Sequence, residues 1–270
     1  MIATIYFMKK VSLFEMTIAL LLNLSRSEPL LNHQLLSIIN QSQTPDELFV
    51  LDSTGDNAIP MLCNQMQTQV PFTIEHLSFS EAIPFATKIN AAVLRSEASY
   101  IVVLNEMSFL HPKCLQQHLR WARRGFFLSG VLSKVSLVDS LTHDMEHPLF
   151  MKKIRSAGSA VYFPGLSAFA SSKTSISDDQ ALQNVSFWRE DFNLINGYDE
   201  MFETVEGVTR DMLYRLIHLG IQLKVLKASA LIYKPNTTEH QVVSQHDAAL
   251  LRKSLQKKRI VAINGLEKTD

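Results

Sequence analysis

Three short, almost uninterrupted apolar runs constrain this chain more than any other feature of its sequence. They are MTIALLLNLS at residues 16–25, ELFVLD at 47–52 and YIVVL at 100–104. A strand with water on one face alternates apolar and polar side chains, whereas a strand covered on both faces is apolar throughout. The three runs therefore predict buried strands of a parallel sheet.

Patterns typical of amphipathic helices separate these runs. Apolar side chains recur at helical spacing after Pro29, Pro84 and Pro112, and proline is well tolerated in the first turn of a helix. The alternation predicts an α/β fold, in which helices cover both faces of a mostly parallel sheet. Ligands of such sheets bind at the carboxyl ends of the strands, where Asp52 and Asn105 lie in the sequence.

The first apolar run has a second interpretation. The stretch MKKVSLFEMTIALLLNLS, which begins at Met8, places two lysines before apolar residues, as a secretory signal does. However, Glu15 interrupts it, and no small-x-small cleavage site follows Leu22. The uninterrupted part is also far shorter than the roughly 20 apolar residues of a membrane-spanning helix. We therefore expect a strand here, in a cytoplasmic protein.

Composition argues against several classes of protein. The 26 Lys and Arg residues balance 26 Asp and Glu residues, so we expect no nucleic-acid binding, which needs a surplus of positive charge. The two cysteines, Cys63 and Cys114, form no CxxC pair. A disulfide framework and a thiolate zinc site are therefore not expected, and a reducing cytoplasm is the simplest setting.

The second half of the chain has a different character. Residues 138–183 are rich in Ser, His and Asp, which is typical of loops over a site. The pattern predicts a helix at 209–219 that ends at Gly220, followed by one late strand at 222–233. A basic amphipathic helix is predicted at 242–258.

Three segments, in this order and at this spacing, resemble family 2 glycosyltransferases, which have the GT-A fold. LNLSRSEPLLNHQLLSIINQS with DELFVLD resembles the opening unit of that family, and PFATKINAAVLRSEASYIVVLNEM resembles the helix and strand before its DxD motif. NVSFWREDFNLINGYDEMF with DMLYRLIHLGIQLKVL resembles its C-terminal acceptor-side segment, in the galactosyltransferase type. The resemblance covers residues 16–235 and implies sugar transfer from a nucleotide-sugar donor.

The same resemblance implies a single GT-A domain over residues 1–270. Residues 16–135 would bind the nucleotide sugar, residues 136–240 would hold the acceptor, and residues 241–270 would add a basic helix and tail. A UDP-sugar is the favoured donor, and a glycan or a lipid-linked molecule the acceptor. Membrane contact would be at most peripheral, through the basic C-terminal helix, which is otherwise a solvated tail.

Donor-binding residues follow from the family pattern. Asp52 takes the place of the acid that accepts a hydrogen bond from the base, although its carboxylate would equally cap the turn at 53–56. Asn90 matches a family asparagine, and Lys88 lies beside the position of a family arginine. Lys88 would reach a phosphate, but the simpler interpretation is an exposed helix lysine.

The family's metal-binding DxD motif falls on Asn105, Glu106 and Met107. Its carboxylates normally hold Mg²⁺ or Mn²⁺, hard cations that prefer oxygen ligands, against the diphosphate. Asn105 would contact the ribose and Glu106 the donor or a metal, whereas the Met107 thioether is a poor ligand for a hard cation. His240 is the second candidate ligand, because some relatives place a metal-binding histidine after the last strand; His246 matches that place less well.

The acidic pair that acts as general base in inverting relatives falls on Val208 and Thr209. Glu206 and Asp211 flank this position and are the candidate catalytic residues, because a base must lie within hydrogen-bond reach of the acceptor hydroxyl. Acids near the start of a helix also stabilise it through its dipole, so both have a structural interpretation too.

The candidate acceptor-binding residues come from the third segment. Trp188 and Arg189 would form a platform on which a sugar stacks, or Trp188 would anchor the core. Asp199 and Glu200 belong to the Gly-Tyr-Asp-Glu turn that precedes the late helix in the family.

Three hypotheses follow from these residues. The first is an active inverting glycosyltransferase with an unusual metal site or none. The second is a catalytically inactive GT-A scaffold that binds a sugar nucleotide, a glycan or a partner protein, because acids are missing at two motifs. The third is an unrelated α/β binding protein, in which residues 185–220 pack as ordinary core. This hypothesis ranks last, because no Gly-rich phosphate loop follows a predicted strand.

Overall fold

The computed structural model describes most of the chain. The described residues are 16–24, 31–104, 108–135, 172–173, 184–226, 231–235 and 243–268. The predicted loops at 138–183 therefore lie outside them, apart from residues 172–173. Within the described residues, no helix has both the length and the apolar character needed to cross a membrane.

Strands and helices alternate along the first half of the chain. The strands are β1 (Ile18–Leu24), β2 (Glu47–Asp52), β3 (Thr73–Ser78), β4 (Tyr100–Leu104), β5 (Phe109–Leu110), β6 (Phe126–Ser129), β7 (Val131–Val135), β8 (Ser172–Lys173), β9 (Asn184–Trp188), β10 (Gln222–Val225) and β11 (Leu231–Pro235). The helices are α1 (Leu31–Ile39), α2 (Ala58–Gln67), α3 (Phe85–Arg95), α4 (Cys114–Trp121), α5 (Arg189–Leu194), α6 (Val205–Leu219) and α7 (Gln245–Gln256).

The main sheet is mixed but mostly parallel, in the order β3-β2-β1-β4-β9-β6-β10-β8. Strands β1 to β4 are mutually parallel, and β10 is parallel to β6. Strand β9 runs antiparallel to both of its neighbours, β4 and β6. A second sheet of three short strands has the order β5-β11-β7. The predicted α/β fold is confirmed.

Burial on both faces explains why β1 and β4 are almost entirely apolar. Every residue of these two strands is buried. Ala19 and Leu21 of β1 face one core cluster, which includes residues of α3 and α6, while Leu20 and Leu22 face the other, which includes residues of α1, α2 and α4. Helices therefore cover the sheet on both faces, as the continuous apolar runs predict.

Two sequence predictions for the fold need correction. The single late strand at 222–233 is wrong, because β10 belongs to the main sheet and β11 to the small one. Helix α6 begins at Val205, four residues before its predicted start, since the Thr204 hydroxyl caps it by accepting from the Gly207 amide at 3.0 Å. Gly220 ends this helix in the left-handed conformation (φ 99°), as predicted.

The direction of each strand decides which edge of the sheet a side chain reaches. The carboxyl ends of β1 to β4 share one edge, which we call the ligand edge. Strand β10 runs in the same direction as β1 to β4. Helix α6 enters β10 through a short turn and therefore runs the opposite way, so the N-terminus of α6 lies toward the ligand edge. Strand β9 runs the other way, and its last residue, Trp188, pairs with Tyr100, the first residue of β4.

A segment after α7 packs against the turn between α5 and α6. We call residues 257–268 the C-terminal segment. The Ala262 amide donates to the Ile195 carbonyl at 2.9 Å, and the Leu266 amide donates to the Asn196 carbonyl at 3.1 Å. A side chain at Gly265 would overlap the Asn196 carbonyl oxygen, so the close approach requires glycine.

Candidate functional site

Asp52 ends β2 at the ligand edge, and its carboxylate is buried. Its Oδ1 accepts hydrogen bonds from the Thr54 amide at 2.8 Å and the Thr54 hydroxyl at 2.7 Å, so the carboxylate does cap the following turn. Its Oδ2 lies 2.9 Å from His76 Nε2, which donates from the neighbouring strand β3. Sequence reasoning missed His76. Ser78 is the in-register partner of Asp52, and His76, two residues earlier in β3, lies on the same face of the sheet as Ser78.

Lys88 is buried, not exposed, which corrects the simpler of its two interpretations. Only 4% of the residue is exposed, and its Nζ donates to the Ser53 hydroxyl at 2.7 Å. Ser53 directly follows β2, so the ammonium group lies at the ligand edge beside Asp52. A buried ammonium is costly unless it is partnered. Its position here is one at which an anionic ligand can bind.

Asn90 fixes a turn, and its role in donor binding stays a prediction. Its Oδ1 accepts from the Tyr198 amide at 2.9 Å, while its Nδ2 donates to the Tyr198 carbonyl at 2.9 Å and to Glu200 Oε1 at 3.0 Å. Both ends of the amide are thus used within the protein. The contacts hold the Gly-Tyr-Asp-Glu turn against α3.

Asp199 and Glu200 are held by the C-terminal segment. Asp199 is fully buried, and its Oδ2 accepts from the Ile263 amide at 3.2 Å and lies 3.0 Å from the Arg259 guanidinium. Glu200 Oε2 accepts from Lys268 Nζ at 2.6 Å. Their described contacts are therefore structural, and they leave the predicted acceptor role without support.

Asp211 lies at the centre of a buried ion cluster. Its Oδ2 accepts from Arg215 Nε at 2.7 Å, and its Oδ1 accepts from the Ser254 hydroxyl and from the Arg259 guanidinium, each at 2.8 Å. Arg215 is completely buried as well, and that burial lowers its pKa while the adjacent carboxylate opposes the change. Three donors and complete burial give the Asp211 carboxylate a structural role and do not favour proton transfer from an acceptor, so its catalytic role stays a prediction that these contacts do not support.

Glu206 lies in the first turn of α6, toward the ligand edge. Its Oε1 accepts from Arg210 Nε at 2.6 Å, one turn further along the same helix. Only 9% of the residue is exposed. Of the two predicted bases, Glu206 is therefore the one whose position fits the acceptor side, although the helix dipole and Arg210 also explain it.

Trp188 and Arg189 lie at the edge opposite the ligand edge. The Trp188 ring is buried and meets the Tyr100 ring edge-on, with centroids 5.1 Å apart, while the Arg124 guanidinium covers it at 4.1 Å. Arg189 donates to the carbonyl oxygen of Ser96. These contacts support the core-anchor interpretation of Trp188. The acceptor platform stays a prediction, and it would lie away from the ligand edge because β9 is antiparallel to its neighbours.

A cleft of ≈ 450 Å³ lies at this opposite edge, between α5 and the loops before β4 and β6. Glu97, Arg124, Arg189 and Glu190 contribute its charged side chains. Because the cleft is not at the carboxyl ends of the parallel strands, it does not match the expected donor site.

The described residues bring one set of possible metal ligands together. These are Glu203, His246 and Asp247, whose ligand atoms lie within 4.8 Å of one another. However, Asp247 Oδ1 accepts from the Glu203 amide at 3.0 Å, and its Oδ2 accepts from the Thr204 amide at 2.9 Å. The Asp247 carboxylate thus serves first as a second cap for α6. The predicted Asn105, Glu106 and His240 lie outside the described residues, so their roles stay predictions.

Comparison with solved structures finds glycosyltransferases. The mannosyltransferase PcManGT from Pyrobaculum calidifontis, in complex with GDP-Man and Mn²⁺, matches with a TM-score of 0.57 and 15% identity. TarS from S. aureus matches with a TM-score of 0.61 and 11% identity, and TarS 1–349 in complex with UDP-GlcNAc with 0.59 and 11%. The matches cover 90% of this chain and 62%, 39% and 66% of the three structures, respectively.

At identities this low, the comparison shows the fold alone. The chain spans less than two thirds of the length of the mannosyltransferase and of full TarS. No protein-family model and no curated protein matches the sequence. The order and direction of the strands agree with the likeness, and the chain therefore has the α/β fold of GT-A glycosyltransferases.

Proposed function

We propose that this chain binds a nucleotide sugar at the ligand edge and transfers the sugar to a glycan or a lipid-linked acceptor. One observation carries the proposal: the buried Lys88 ammonium lies beside Asp52 at the end of β2. The ammonium can donate to phosphate oxygens in addition to its partners within the protein, such as the Ser53 hydroxyl. A diphosphate supplies the negative charge that such a group attracts, and the solved relatives bind GDP-Man, UDP and UDP-GlcNAc.

The two ends of the donor would be recognised by different groups. Asp52 already accepts three hydrogen bonds within the protein, and the remaining lone pair of its carboxylate would accept the imide N–H of a uracil base. Lys88 would donate to the diphosphate oxygens with a charge-assisted hydrogen bond. Mg²⁺ or Mn²⁺, for which the Glu106 carboxylate is a suitable ligand and His240 a further candidate, would add positive charge at the diphosphate when bound.

Glu206 is the candidate general base for transfer. It would accept the proton of the acceptor hydroxyl as the bond to the anomeric carbon forms and the bond to the diphosphate breaks. Its ion pair with Arg210 must open or shift for this, because the Glu206 oxygen nearest the arginine already accepts a hydrogen bond.

A second candidate function is a scaffold that binds the donor without transfer. The observation that favours it is the ion pairing of both candidate bases, Glu206 with Arg210 and Asp211 with Arg215. The two candidates separate in one assay with UDP-GlcNAc, UDP-galactose and GDP-mannose, with and without Mn²⁺. Slow hydrolysis that falls in Glu206→Gln supports the transferase, whereas binding without turnover supports the scaffold.

The role of Lys88 is tested by Lys88→Met, which keeps the length of the side chain and removes its charge. We expect the affinity for UDP, measured by isothermal titration calorimetry, to fall about 10- to 100-fold, the usual value of a charged hydrogen bond. Arg95→Met on the same helix is the control, because Arg95 is exposed and lies at the far end of α3. A folded Lys88→Met protein that binds UDP as tightly as the parent would contradict the proposal.

A further inference from the structure

The end of α7 and the C-terminal segment expose several aliphatic side chains. The exposed fractions are 39% for Leu255, 36% for Ile260, 48% for Val261 and 52% for Ile263. Single apolar residues are common on protein surfaces, but several close together indicate an interaction site.

These side chains are exposed on a segment that is firmly held. The Arg259 guanidinium lies between the buried carboxylates of Asp199 and Asp211, at 3.0 Å and 2.8 Å. Ala262 is buried, and its amide donates to the Ile195 carbonyl. Because Arg259 and Ala262 point inward, the apolar residues beside them are presented to solvent by an ordered backbone.

Exposed basic residues are close to the same apolar residues along the chain. Arg252, Lys253, Lys257 and Lys258 are all exposed. No acidic residue occurs between residues 248 and 266, so the local charge is strongly positive although the chain as a whole is neutral. We call these four cations, with Leu255, Ile260, Val261 and Ile263, the apolar–basic patch.

We propose that the apolar–basic patch docks the protein on an anionic membrane surface. Basic side chains are attracted by anionic lipid headgroups, and aliphatic side chains beside them insert at the boundary with the acyl chains. Nucleic acid fits less well, because residues 243–268 contain no Phe, Tyr or Trp on which bases could stack. Three of the four aliphatic side chains proposed to insert into the membrane belong to the C-terminal segment. The sequence pattern had indicated only the basic helix, α7, as a possible membrane contact.

This inference goes beyond the proposed glycosyl transfer and does not depend on it. The inner face of α7 packs against α6, with Leu251 buried in the core, so that face is not available to a membrane. The outer face and the segment after it present both the charge and the apolar side chains. Docking therefore needs neither the donor site nor an acceptor.

Sedimentation with lipid vesicles tests the proposal without any sugar nucleotide. We expect the full chain to bind vesicles of equimolar phosphatidylcholine and phosphatidylglycerol, to bind pure phosphatidylcholine weakly, and to dissociate at high salt. Lys253→Gln with Lys257→Gln should weaken binding to the anionic vesicles about fivefold for each lysine. Ile260→Ser with Val261→Ser should weaken it at least about tenfold, because the inserted methylenes are lost.

Matched controls lie elsewhere on the surface. Met61→Ser removes the large apolar side chain that is most exposed among the described residues, and Lys113→Gln removes an exposed cation outside the patch. Neither should change vesicle binding, and UDP affinity should stay the same in all variants if they fold. Absence of vesicle binding by the parent chain, or equal binding by the patch variants, would overturn the proposal.

Two other occupants of the patch give distinct results. Dimers in analytical ultracentrifugation that Ile260→Ser with Val261→Ser converts to monomers, without vesicle binding, would assign the patch to a second copy of the chain. Binding to an RNA homopolymer but not to anionic vesicles would assign it to nucleic acid. Either result overturns the membrane proposal.

Discussion

Replacing Asp211 by alanine is expected to lower the free energy of unfolding by about 3–5 kcal/mol, the usual cost of removing one partner of a buried ion pair. The change leaves the Arg215 guanidinium fully buried without its carboxylate. It also removes one of the two acids that hold Arg259 of the C-terminal segment. Urea unfolding followed by circular dichroism measures the loss.

The control for Asp211→Ala is Glu75→Ala. Glu75 pairs with Arg95 at 3.5 Å, but both side chains are about half exposed, so we expect a loss of about 0–1 kcal/mol. Asp211→Asn separates a structural role from a catalytic one. A structural Asp211 makes the asparagine variant unstable too, whereas normal stability with loss of sugar transfer would restore Asp211 as the general base.

Acidification is expected to destabilise the protein through His118, by about 3 kcal/mol between pH 6.5 and pH 4. The buried imidazole donates from Nε2 to Asn184 Oδ1 at 2.9 Å and accepts at Nδ1 from the Ser186 hydroxyl at 2.7 Å. Ser186 in turn accepts from the Tyr100 hydroxyl at 2.8 Å. This chain of hydrogen bonds is satisfied only when His118 is neutral, because a protonated imidazole has no acceptor for Ser186.

The sign follows from the pKa of His118, which burial lowers from 6.5 to about 4. Between these values the unfolded chain binds the proton and the folded chain does not, so protonation favours unfolding. The contribution of His118 to stability is therefore present above pH 6.5 and is lost as the pH falls toward 4. The difference between the two pKa values corresponds to about 3 kcal/mol.

Asp191 has the opposite dependence and must be separated from His118. Burial raises the pKa of Asp191 from 3.8 to about 6, so its contribution is present at low pH and is lost as the pH rises through 6. Unfolding free energies of His118→Gln and Asp191→Asn at pH 7 and pH 4.5 resolve the two. We expect His118→Gln to lose less stability on acidification than the parent, and Asp191→Asn to lose more. An unchanged slope in His118→Gln would contradict the prediction.

The sequence predicts the strands β1, β2 and β4 well, because a continuous apolar run reports burial on both faces. It does not report direction, since β9 is buried along its whole length and yet runs antiparallel to β4. Without the direction of β9, Trp188 and Arg189 were expected near the ligand edge, whereas they lie at the opposite edge. Helix α2 was also missed, although Ile59, Cys63 and Met66 recur at helical spacing.

Errors at the candidate site have a common physical cause. Lys88 meets Ser53 across 35 positions of sequence, and Asp211 meets Arg259 across 48. From local sequence alone, a helical lysine is expected to be exposed, and an acid near the start of a helix is expected to interact with the helix dipole. Contacts between residues so far apart in sequence cannot be inferred from such a pattern. The turn capped by Asp52 was predicted correctly, since the end of a strand and the turn after it are local features.

The contacts of Asp199 and Asp211 with Arg259 also bear on the order in which the chain folds while it is being synthesised. Asp199 and Asp211 are made well before Arg259, yet they share its guanidinium once the chain is folded. While the growing chain is still short of residue 259, packing α6 would bury these carboxylates with part of their counter-charge missing. Strands β1 to β4 need no such partner, so we expect them to assemble first and α6 to pack only after the C-terminal segment has emerged from the ribosome.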